Sequence, residues 1–500
     1  MTREQRLKLN SFSSLFLQLT TVVCGFILPK MILGHYGSEI NGLNHSISQF
    51  LSIITFLELG VGTVVQSALY KPLAQNDKYS IDCILTSATK FFRVLGYIFF
   101  AYVIILTFIY PVFTNTSFSS GYLSLLVVIF SISSFSQYYF GIVDRLLLLA
   151  DQRGYIFYLL QAATIIANTL MSALLINMNV EFHILKIATL ALFFIWPIVN
   201  KIYVKKRYNP NRKIKYQDEP IKQKWNGIAQ HIAAVVLDGT DVIVLTVICG
   251  MAEVSVYSIY NMVVMGIRQL VYSTTNGLSA YWGSLIANEE WEKLYDDFDF
   301  KEWLMHSVST LLFGCTCILI VPFVRVYTLG VTDANYIQPL FAVILTLAQA
   351  FRCIRLPYNV LILSGNHYKQ TQNSYIVAAM INIVTSVLLV FKFGLIGVAI
   401  GTAIAMLYQT LWMVRYDYTV FLKKRWKQFI KQCIVDAGIA LIATGASVFI
   451  PLAKDTFSSW IILAIEVSAI WFLVSILLNV VLYKENMKRI VNPVICRIKR

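Results

Sequence analysis

The chain alternates between long apolar runs and short polar intervals along its whole length. Fourteen of the apolar runs are long enough for a helix that crosses a bilayer, which needs roughly 20 residues. Membrane-spanning barrels have short segments of alternating polarity instead, so the pattern predicts an all-α polytopic membrane protein. The predicted spans are 12–33, 42–68, 84–112, 122–144, 155–177, 184–203, 226–249, 255–286, 303–328, 337–364, 373–391, 394–414, 429–450 and 459–483.

Lysine and arginine are distributed unevenly between the two sets of loops. Of the 41 basic residues, 31 lie in the two termini and in the loops on the same side, whereas about four lie on or near the opposite side. Because basic loops stay in the cytoplasm, both termini are predicted to be cytoplasmic. The net charge of +15 is thus mainly a topology signal, and no nucleic-acid partner is predicted. Only 13% of the residues are charged, against about 25% in soluble proteins, which agrees with a membrane protein.

The longest polar interval follows the sixth predicted span and is rich in basic residues. We interpret it as a cytoplasmic linker that contacts anionic lipid headgroups. An internal repeat supports two lobes, because residues 147–175 align with 361–389 at a shift of 214 residues, and Asn168 meets Asn382. The last two spans have no counterpart in the repeat. The predicted divisions are an N-lobe at 1–205, the linker at 206–225, a C-lobe at 226–416, and two further helices with a basic tail at 417–500.

Two arginines lie in the middle of the tenth predicted span. Arg352 and Arg355 are three residues apart and share a helix face, which continues through Gln349 and Asn359. An arginine at that depth costs at least ~2.5–3.5 kcal/mol on insertion scales, so a wet or anionic surrounding must compensate for it. One interpretation is that each side chain extends to the membrane interface along its aliphatic stem. Two arginines on a polar stripe favour the other, a water-filled cavity that holds an anion.

Other spans also contain polar and ionisable residues. A carboxylate in a membrane is paired, hydrated or protonated. The acidic residues in these spans therefore either bind a coupling proton or Na⁺, or pair with arginines and stabilise the bundle. Lys90, Arg93 and Lys186 lie near span ends and are interpreted as extending to the interface. The remaining polar stripes contain Arg268 with Asn261, Tyr272 and Asn276 in the eighth span, Asp238 and Asp241 with His231 in the seventh, and Glu58 in the second.

No motif of bond-breaking chemistry occurs in the sequence. The chain lacks a GxxxxGK[ST] phosphate loop and an HExxH zinc motif, and its eight cysteines and six histidines are dispersed. We therefore predict no enzyme activity, no cofactor and no metal site. The acidic segment 288–301 places Trp291, Leu294, Tyr295 and Phe298 at helical spacing, which predicts an amphipathic helix at the membrane interface.

Four segments resemble those of a known family, in the spans and the order expected. The first is Ile27–Ala74, with the sequence ELGVG at Glu58–Gly62; the others are Leu237–Asn261, Arg355–Gln372 and Phe393–Ala405. These residues are similar to the bacterial polysaccharide flippases of the Wzx type, within the multidrug/oligosaccharidyl-lipid/polysaccharide (MOP) exporter superfamily. The resemblance covers about residues 10–415. The sixth span departs from it, since it lacks the glycine-rich opening of the twelfth.

The resemblance implies two six-helix lobes around a central cavity and an alternating-access mechanism, and the two further C-terminal helices lie outside it. It implies a polyprenyl (undecaprenyl) pyrophosphate-linked oligosaccharide as substrate, moved from the inner to the outer leaflet of the bacterial cell (inner) membrane for polysaccharide biosynthesis. Membrane lipids, a coupling H⁺ or Na⁺ and a polysaccharide polymerase are the expected partners.

The pyrophosphate of such a substrate needs cations, which Arg268, Arg352 and Arg355 would supply. Three other function classes remain open: a cation-coupled multidrug exporter, a lipid II flippase, and a membrane-embedded glycan polymerase or ligase. The predicted substrate-binding residues are Arg268, Arg352, Arg355, Asn359 and Asn261, and the predicted ion-coupling residues are Asp241, Asp238 and Glu58.

Overall fold

The structure, a computed structural model, describes residues 3–52, 55–221, 228–275, 277–424 and 426–490. Within these residues the chain is helical and contains no strand, which confirms the all-α prediction. Eleven helices in the described part are long and apolar enough to cross a membrane. Each of the fourteen predicted spans overlaps a helix, but the number of crossings stays a prediction. The chain divides into two compact units, Met1–Ser255 and Val256–Arg500, so the predicted lobe boundaries also stay predictions.

Unit 1 contains nine complete helices within its described residues, and α10 begins in it. A π-helical turn at Gln137–Gly141 joins α4 to α5, and a 3-10 turn at Leu192–Phe194 joins α7 to α8. The helices are α1 (Arg3–Ser52), α2 (Thr55–Gln75), α3 (Lys78–Phe113), α4 (Ser120–Ser136), α5 (Ile142–Ala150), α6 (Gly154–Asn177), α7 (Phe182–Ala191), α8 (Ile195–Tyr208) and α9 (Ile228–Ile248).

Helix α1 is broken where sequence analysis places the boundary between the first two spans. Gly37 has φ 83° and ψ 178°, a conformation that glycine adopts at little cost because it has no Cβ. Five residues later, a Cβ on Gly42 would lie 1.9 Å from the carbonyl oxygen of Met251. The first glycine therefore allows the change of direction, and the second allows the close approach of α1 to the start of α10.

The basic interval after α8 packs against unit 1 instead of standing free in solution. The backbone N–H of Asn211 donates to the Asp82 carboxylate of α3 at 3.1 Å. Arg212 forms an ion pair with Asp144 of α5, whose side chain is fully buried. The predicted linker is thus attached to unit 1 through residues on two of its helices, at least as far as Ile221, the last described residue before α9.

Unit 2 is organised around α12 and α16. In α16, Gly397 and Gly401 are four residues apart, and a Cβ on either would overlap the α15 backbone, so these two helices pack closely in the small-xxx-small manner. The helices are α10 (Met251–Ser273), α11 (Leu278–Ala287), α12 (Trp291–Tyr327), α13 (Pro339–Ile354), α14 (Leu356–Ser364), α15 (Tyr368–Phe393), α16 (Leu395–Val420), α17 (Lys427–Ser447) and α18 (Phe457–Leu482).

The predicted interfacial helix at 288–301 is not a separate element. Its residues form the first turns of α12, which runs without interruption from Trp291 to Tyr327. Leu294 and Phe298 are fully buried, and the Trp282 indole donates to Asp297 at 2.6 Å. The helix predicted for this segment is therefore present and its apolar face packs within unit 2, while its position at the membrane interface stays a prediction.

The last two helices, α17 and α18, pack on α12. A Cβ on Gly314 would lie 1.9 Å from the Trp471 ring, so the indole of α18 fits directly against the α12 backbone. The indole of Trp303 donates to the Asn479 side chain at 2.7 Å. An apolar cluster that includes Leu319, Ile439 and Trp471 fills the space between the three helices.

Candidate anion-binding site

The tenth predicted span is divided at one of its two arginines. Helix α13 ends at Ile354 and α14 begins at Leu356, with Arg355 between them. Pro357 lacks a backbone N–H and crowds the preceding turn, which explains a break at this point. The backbone bond from Asn359 N–H to the Arg355 carbonyl, 3.1 Å long, keeps the two pieces in line. The break therefore holds Arg355 at a junction inside unit 2.

Two of the three predicted arginines meet at one tyrosine. Arg268 of α10 places its guanidinium carbon 5.6 Å from the centroid of the Tyr272 ring, within the range of a cation–π interaction. The Tyr272 hydroxyl accepts a hydrogen bond of 3.2 Å from Nε of Arg352 on α13. Arg268 also donates to the side-chain oxygen of Gln349 at 3.3 Å. These contacts connect α10 to the polar face of α13.

Arg355 is anchored by the neighbouring helix α16. Its guanidinium donates to the side-chain oxygen of Gln409 and lies 3.9 Å from the sulfur of Met406. The Thr410 hydroxyl of the same helix donates to the Phe351 carbonyl at 3.0 Å, next to the break. Sequence analysis does not identify Gln409 as a site residue, although a glutamine inside a predicted span was the available signal.

The three arginines converge on one region of unit 2, which we call the arginine cluster (Arg268, Arg352 and Arg355). The Cys353 thiol, fully buried between the last two, lies within electrostatic reach of all three guanidinium groups. Arg352 and Arg355 are 9% and 7% exposed, so neither extends into lipid. The interpretation that these two side chains extend to the interface is therefore wrong.

The other predicted substrate-binding residues lie farther along the same helices. Asn359 of α14 accepts a hydrogen bond from the Tyr375 hydroxyl of α15 and so links these two helices. Asn261 is half-buried on α10, about two turns before Arg268. Neither side chain shows a described contact with the guanidinium groups of the arginine cluster, and Asn276 lies outside the described residues.

The predicted ion-coupling residues belong to unit 1. Asp241 on α9 is 2% exposed, whereas Asp238, three residues earlier, is exposed. The two aspartates are therefore not equivalent, although their spacing places them on adjoining parts of one helix face. Glu58 lies in α2 and His231 in α9, but their side chains are outside the described set.

Lys186, which sequence analysis places at the interface, is buried. Its ammonium group lies 4.9 Å from the ring centroid of Phe130 and 5.2 Å from that of Phe182. Two aromatic faces therefore surround this charge inside unit 1, and the prediction that it extends to the interface is wrong. Among the described residues, no group of three or more His, Cys, Asp or Glu side chains is arranged to hold a metal ion.

The buried guanidinium groups of the arginine cluster suit an anion with several negative oxygens. Each guanidinium has five N–H donors in a planar fork. The hydrogen bond to Tyr272 restricts the rotation of Arg352, and the hydrogen bond to Gln409 restricts that of Arg355. A site with few mobile groups loses less entropy on binding. The low dielectric inside a helix bundle also makes each charge–charge contact stronger than in water.

Comparison with known proteins identifies solved structures that have the same fold. No protein-family model and no curated protein sequence matches the chain. Among solved structures, the lipid II flippase MurJ in an inward closed conformation matches with a TM-score of 0.71 and 15% identity, over 96% of this chain and 99% of that one. The chain shares the fold of this structure.

Two drug-transporter structures share this fold more distantly. A mutant of the Vibrio cholerae MATE transporter VcmN matches with a TM-score of 0.59 and 11% identity, over 85% of this chain and 98% of that one. An inward-facing multidrug resistance MATE family transporter of the MOP superfamily matches with a TM-score of 0.55 and 13% identity, over 82% and 99%. At these identities the likeness concerns the fold alone. It agrees with the fold that the resemblance implies, whereas the Wzx type stays a prediction.

Proposed function

We propose that the protein is a flippase that moves a polyprenyl-pyrophosphate-linked oligosaccharide across the bacterial inner membrane by alternating access. The observation that carries the proposal is the arginine cluster, in which three guanidinium groups converge within unit 2 near Tyr272 and Cys353. A lipid-linked pyrophosphate is the group that matches this charge in a membrane. Both termini are proposed to be cytoplasmic, as the loop charges indicate.

The pyrophosphate would bind the cluster while the glycan and the lipid tail extend away from it. Charge-assisted hydrogen bonds from arginine to phosphate contribute about 1.5–3 kcal/mol each, so the cluster can dominate recognition. Asp241, Asp238 and Glu58 are proposed to couple transport to a proton or Na⁺. Asp241 is the strongest of the three, because it is the one whose side chain is described as buried.

A lipid II flippase is the second candidate, and the TM-score of 0.71 to the MurJ structure favours it. It requires the same pyrophosphate contacts and differs only in the glycan. A cation-coupled multidrug exporter fits less well, because a cationic drug would be repelled by the arginine cluster. Binding of the charged lipid separates the two flippase functions from the multidrug exporter. Glycan preference then separates the polysaccharide flippase from the lipid II flippase.

The test is binding to purified protein in lipid nanodiscs. The ligands are one oligosaccharide on a polyprenyl pyrophosphate and the same oligosaccharide on an uncharged polyprenol. Arg352→Gln and Arg355→Gln are expected to weaken binding of the pyrophosphate form at least tenfold, or about 1.4 kcal/mol, and to leave binding of the uncharged form unchanged. Arg415→Gln is the matched control, because Arg415 is exposed near the end of α16.

Transport is then measured in proteoliposomes, as exposure of the glycan to a lectin on the far side. Both cluster variants should lose transport while still inserting into the membrane. Unchanged binding and transport in Arg352→Gln/Arg355→Gln would overturn the anion site. Preference of the wild-type protein for a cationic drug over both lipids would favour the exporter.

A further inference from the structure

A second polar site lies in unit 2, where the start of α12 and the end of α16 meet α14 and α17. Glu302 of α12 is fully buried and accepts hydrogen bonds from two tyrosines. The Tyr358 hydroxyl of α14 donates to one oxygen, and the Tyr418 hydroxyl of α16 lies 2.8 and 2.9 Å from the two oxygens. An ionised carboxylate only accepts hydrogen bonds, so two donating phenols match the charged form of Glu302.

A second carboxylate of this site is paired with a histidine. Nδ1 of His306, one turn after Glu302 on α12, lies 2.5 Å from the Asp436 carboxylate of α17. The imidazole is almost completely buried and packs edge-on against Phe429. This contact gives Asp436 a polar partner on the neighbouring helix α12.

The third carboxylate, Asp417 of α16, is bonded neither to a tyrosine, as Glu302 is, nor to a histidine, as Asp436 is. Its side chain is fully buried, and neither oxygen has a hydrogen-bond partner among the described residues. The carboxyl lies within electrostatic reach of Tyr358 and Tyr416, and neither of these neighbours is a cation. Asp417 also lies in the last turn of α16, where the partial negative charge of the helix end disfavours an anion.

A neighbouring amide on α17 is buried without a partner as well. Gln432 is 2% exposed, and neither atom of its side-chain amide has a hydrogen-bond partner among the described residues. It lies one helical turn before Asp436. Nε2 of His306 is likewise buried without a described partner. Several donors and acceptors of this site are therefore left unsatisfied by the protein groups described around them.

Among the described residues, the site thus combines three carboxylates with one imidazole. An unpaired charge buried in a protein interior is so costly that the group becomes neutral instead. Glu302 and Asp436 each have hydrogen-bond partners among the described residues, whereas Asp417 has none. The other titratable or charged groups within reach of the site are Asp299 of α12, which pairs with Lys424, Tyr416 of α16, Cys433 of α17 and Tyr483 beyond α18.

We propose that Asp417 is a proton-binding site, which holds a proton at neutral pH and keeps the contact between α16 and α14 uncharged. Loss of the proton places an uncompensated negative charge close to Tyr358, the tyrosine that also donates to Glu302. The packing of α14 on α16 then becomes less stable as the pH rises. This site is separate from the arginine cluster and from the acids proposed for ion coupling.

The sign of the pH effect follows from the number of bound protons. At neutral pH the folded protein holds one proton on Asp417, whereas an exposed aspartate in the unfolded chain holds almost none. Because the folded state then binds more protons than the unfolded state, stability falls as the pH rises through neutrality. Replacement of Asp417 by asparagine, a neutral isostere of the protonated acid, should remove this part of the pH dependence.

Infrared spectroscopy of the purified protein in nanodiscs tests the proposal directly. A protonated carboxyl group has a C=O band distinct from that of a carboxylate, and this band shifts in heavy water. The wild type at neutral pH is expected to show such a band, and Asp417→Asn to lose it. Asp296→Asn is the control, because Asp296 is exposed and pairs with Arg489, so the band should be unchanged.

Thermal unfolding at mildly acidic and mildly alkaline pH gives the second measurement. The wild type should unfold at a lower temperature in the alkaline buffer, and Asp417→Asn should reduce this shift by at least half. Absence of a protonated-carboxyl band in the wild type would overturn the proposal, even if the variant failed to fold. A midpoint that rises with Na⁺ concentration in the wild type and not in Asp417→Asn would also overturn it, since the ligand would then be a metal cation. Neither readout involves a transport substrate, so failure here leaves the proposed function untouched.

Discussion

The Tyr272 hydroxyl accepts a hydrogen bond of 3.2 Å from Arg352, while the ring of the same residue lies under the Arg268 guanidinium. One tyrosine therefore holds two cations from two helices in a fixed relation. These two contacts keep the like charges of Arg268 and Arg352 close together. Tyr272 is therefore a positioning residue of the arginine cluster.

Tyr272→Phe is expected to weaken binding of the pyrophosphate-linked lipid about tenfold, because a hydrogen bond to a charged group is lost while the ring remains. Tyr272→Leu should weaken it further, since the cation–π interaction is lost as well. The measurement is the nanodisc titration, with Tyr281→Phe as the control, because Tyr281 is exposed on α11. Equal affinities for the two Tyr272 variants and the wild type would show that the tyrosine does not position the arginines.

Asp241→Asn is expected to change the dependence of transport on the proton or sodium gradient, because a buried carboxylate is replaced by a neutral amide. Asp218→Asn is the control, because Asp218 is an exposed aspartate of unit 1 that has no proposed coupling role. Transport is measured in proteoliposomes with an imposed pH gradient, an imposed Na⁺ gradient or neither. If Asp241→Asn responds to both gradients as the wild type does, Asp241 has no coupling role.

Arg212→Gln is expected to destabilise unit 1 by about 3 kcal/mol, because it leaves the fully buried Asp144 carboxylate without its cation. The loss is measured as a lower midpoint of thermal unfolding and as faster proteolysis within 209–221. Lys213→Gln, one residue away and exposed, should have little effect. In the double variant Arg212→Leu/Asp144→Leu, most of the stability should return, since no buried charge remains. A double variant as unstable as Arg212→Gln would argue against this explanation.

Gly314→Val is expected to destabilise the packing of α18 on α12, because the new side chain overlaps the rigid indole of Trp471. Overpacking of this kind costs about 1–3 kcal/mol. Gly438→Val on α17 is the control, since no atom lies within 4 Å of the position its Cβ would take. Combining Gly314→Val with Trp471→Ala should cost less than the sum of the single changes. Strict additivity would mean that the two residues do not interact.

Features that depend on local periodicity could be predicted from the sequence. The polar stripe of Gln349, Arg352 and Arg355 follows from helical spacing, and the structure places all three inside unit 2. Arg268 was identifiable because a charge inside an apolar run is conspicuous. The proximity of Arg268 to Arg352 could not be predicted, because 84 residues separate them and only tertiary packing brings the two helices together.

Features that depend on helix ends or on packing direction could not be predicted in this way. Sequence analysis ends the twelfth span at residue 414, but α16 continues to Val420 and buries Asp417. Lys186 looks like an interfacial lysine because it lies near a span end, yet two aromatic rings enclose it. Hydropathy indicates where a helix runs, but not which of its faces meets protein and which meets lipid.

The attachment of α17 and α18 to α12 has a consequence for shortened forms of the protein. A chain ending at Val420 would leave the α12 flank that includes Trp303, His306 and Gly314 in contact with acyl chains. The Trp303 indole and the His306 ring would lose their amide and carboxylate partners in hydrocarbon, which offers no replacement. Deleting α17 and α18 would therefore require new apolar side chains along that flank of α12.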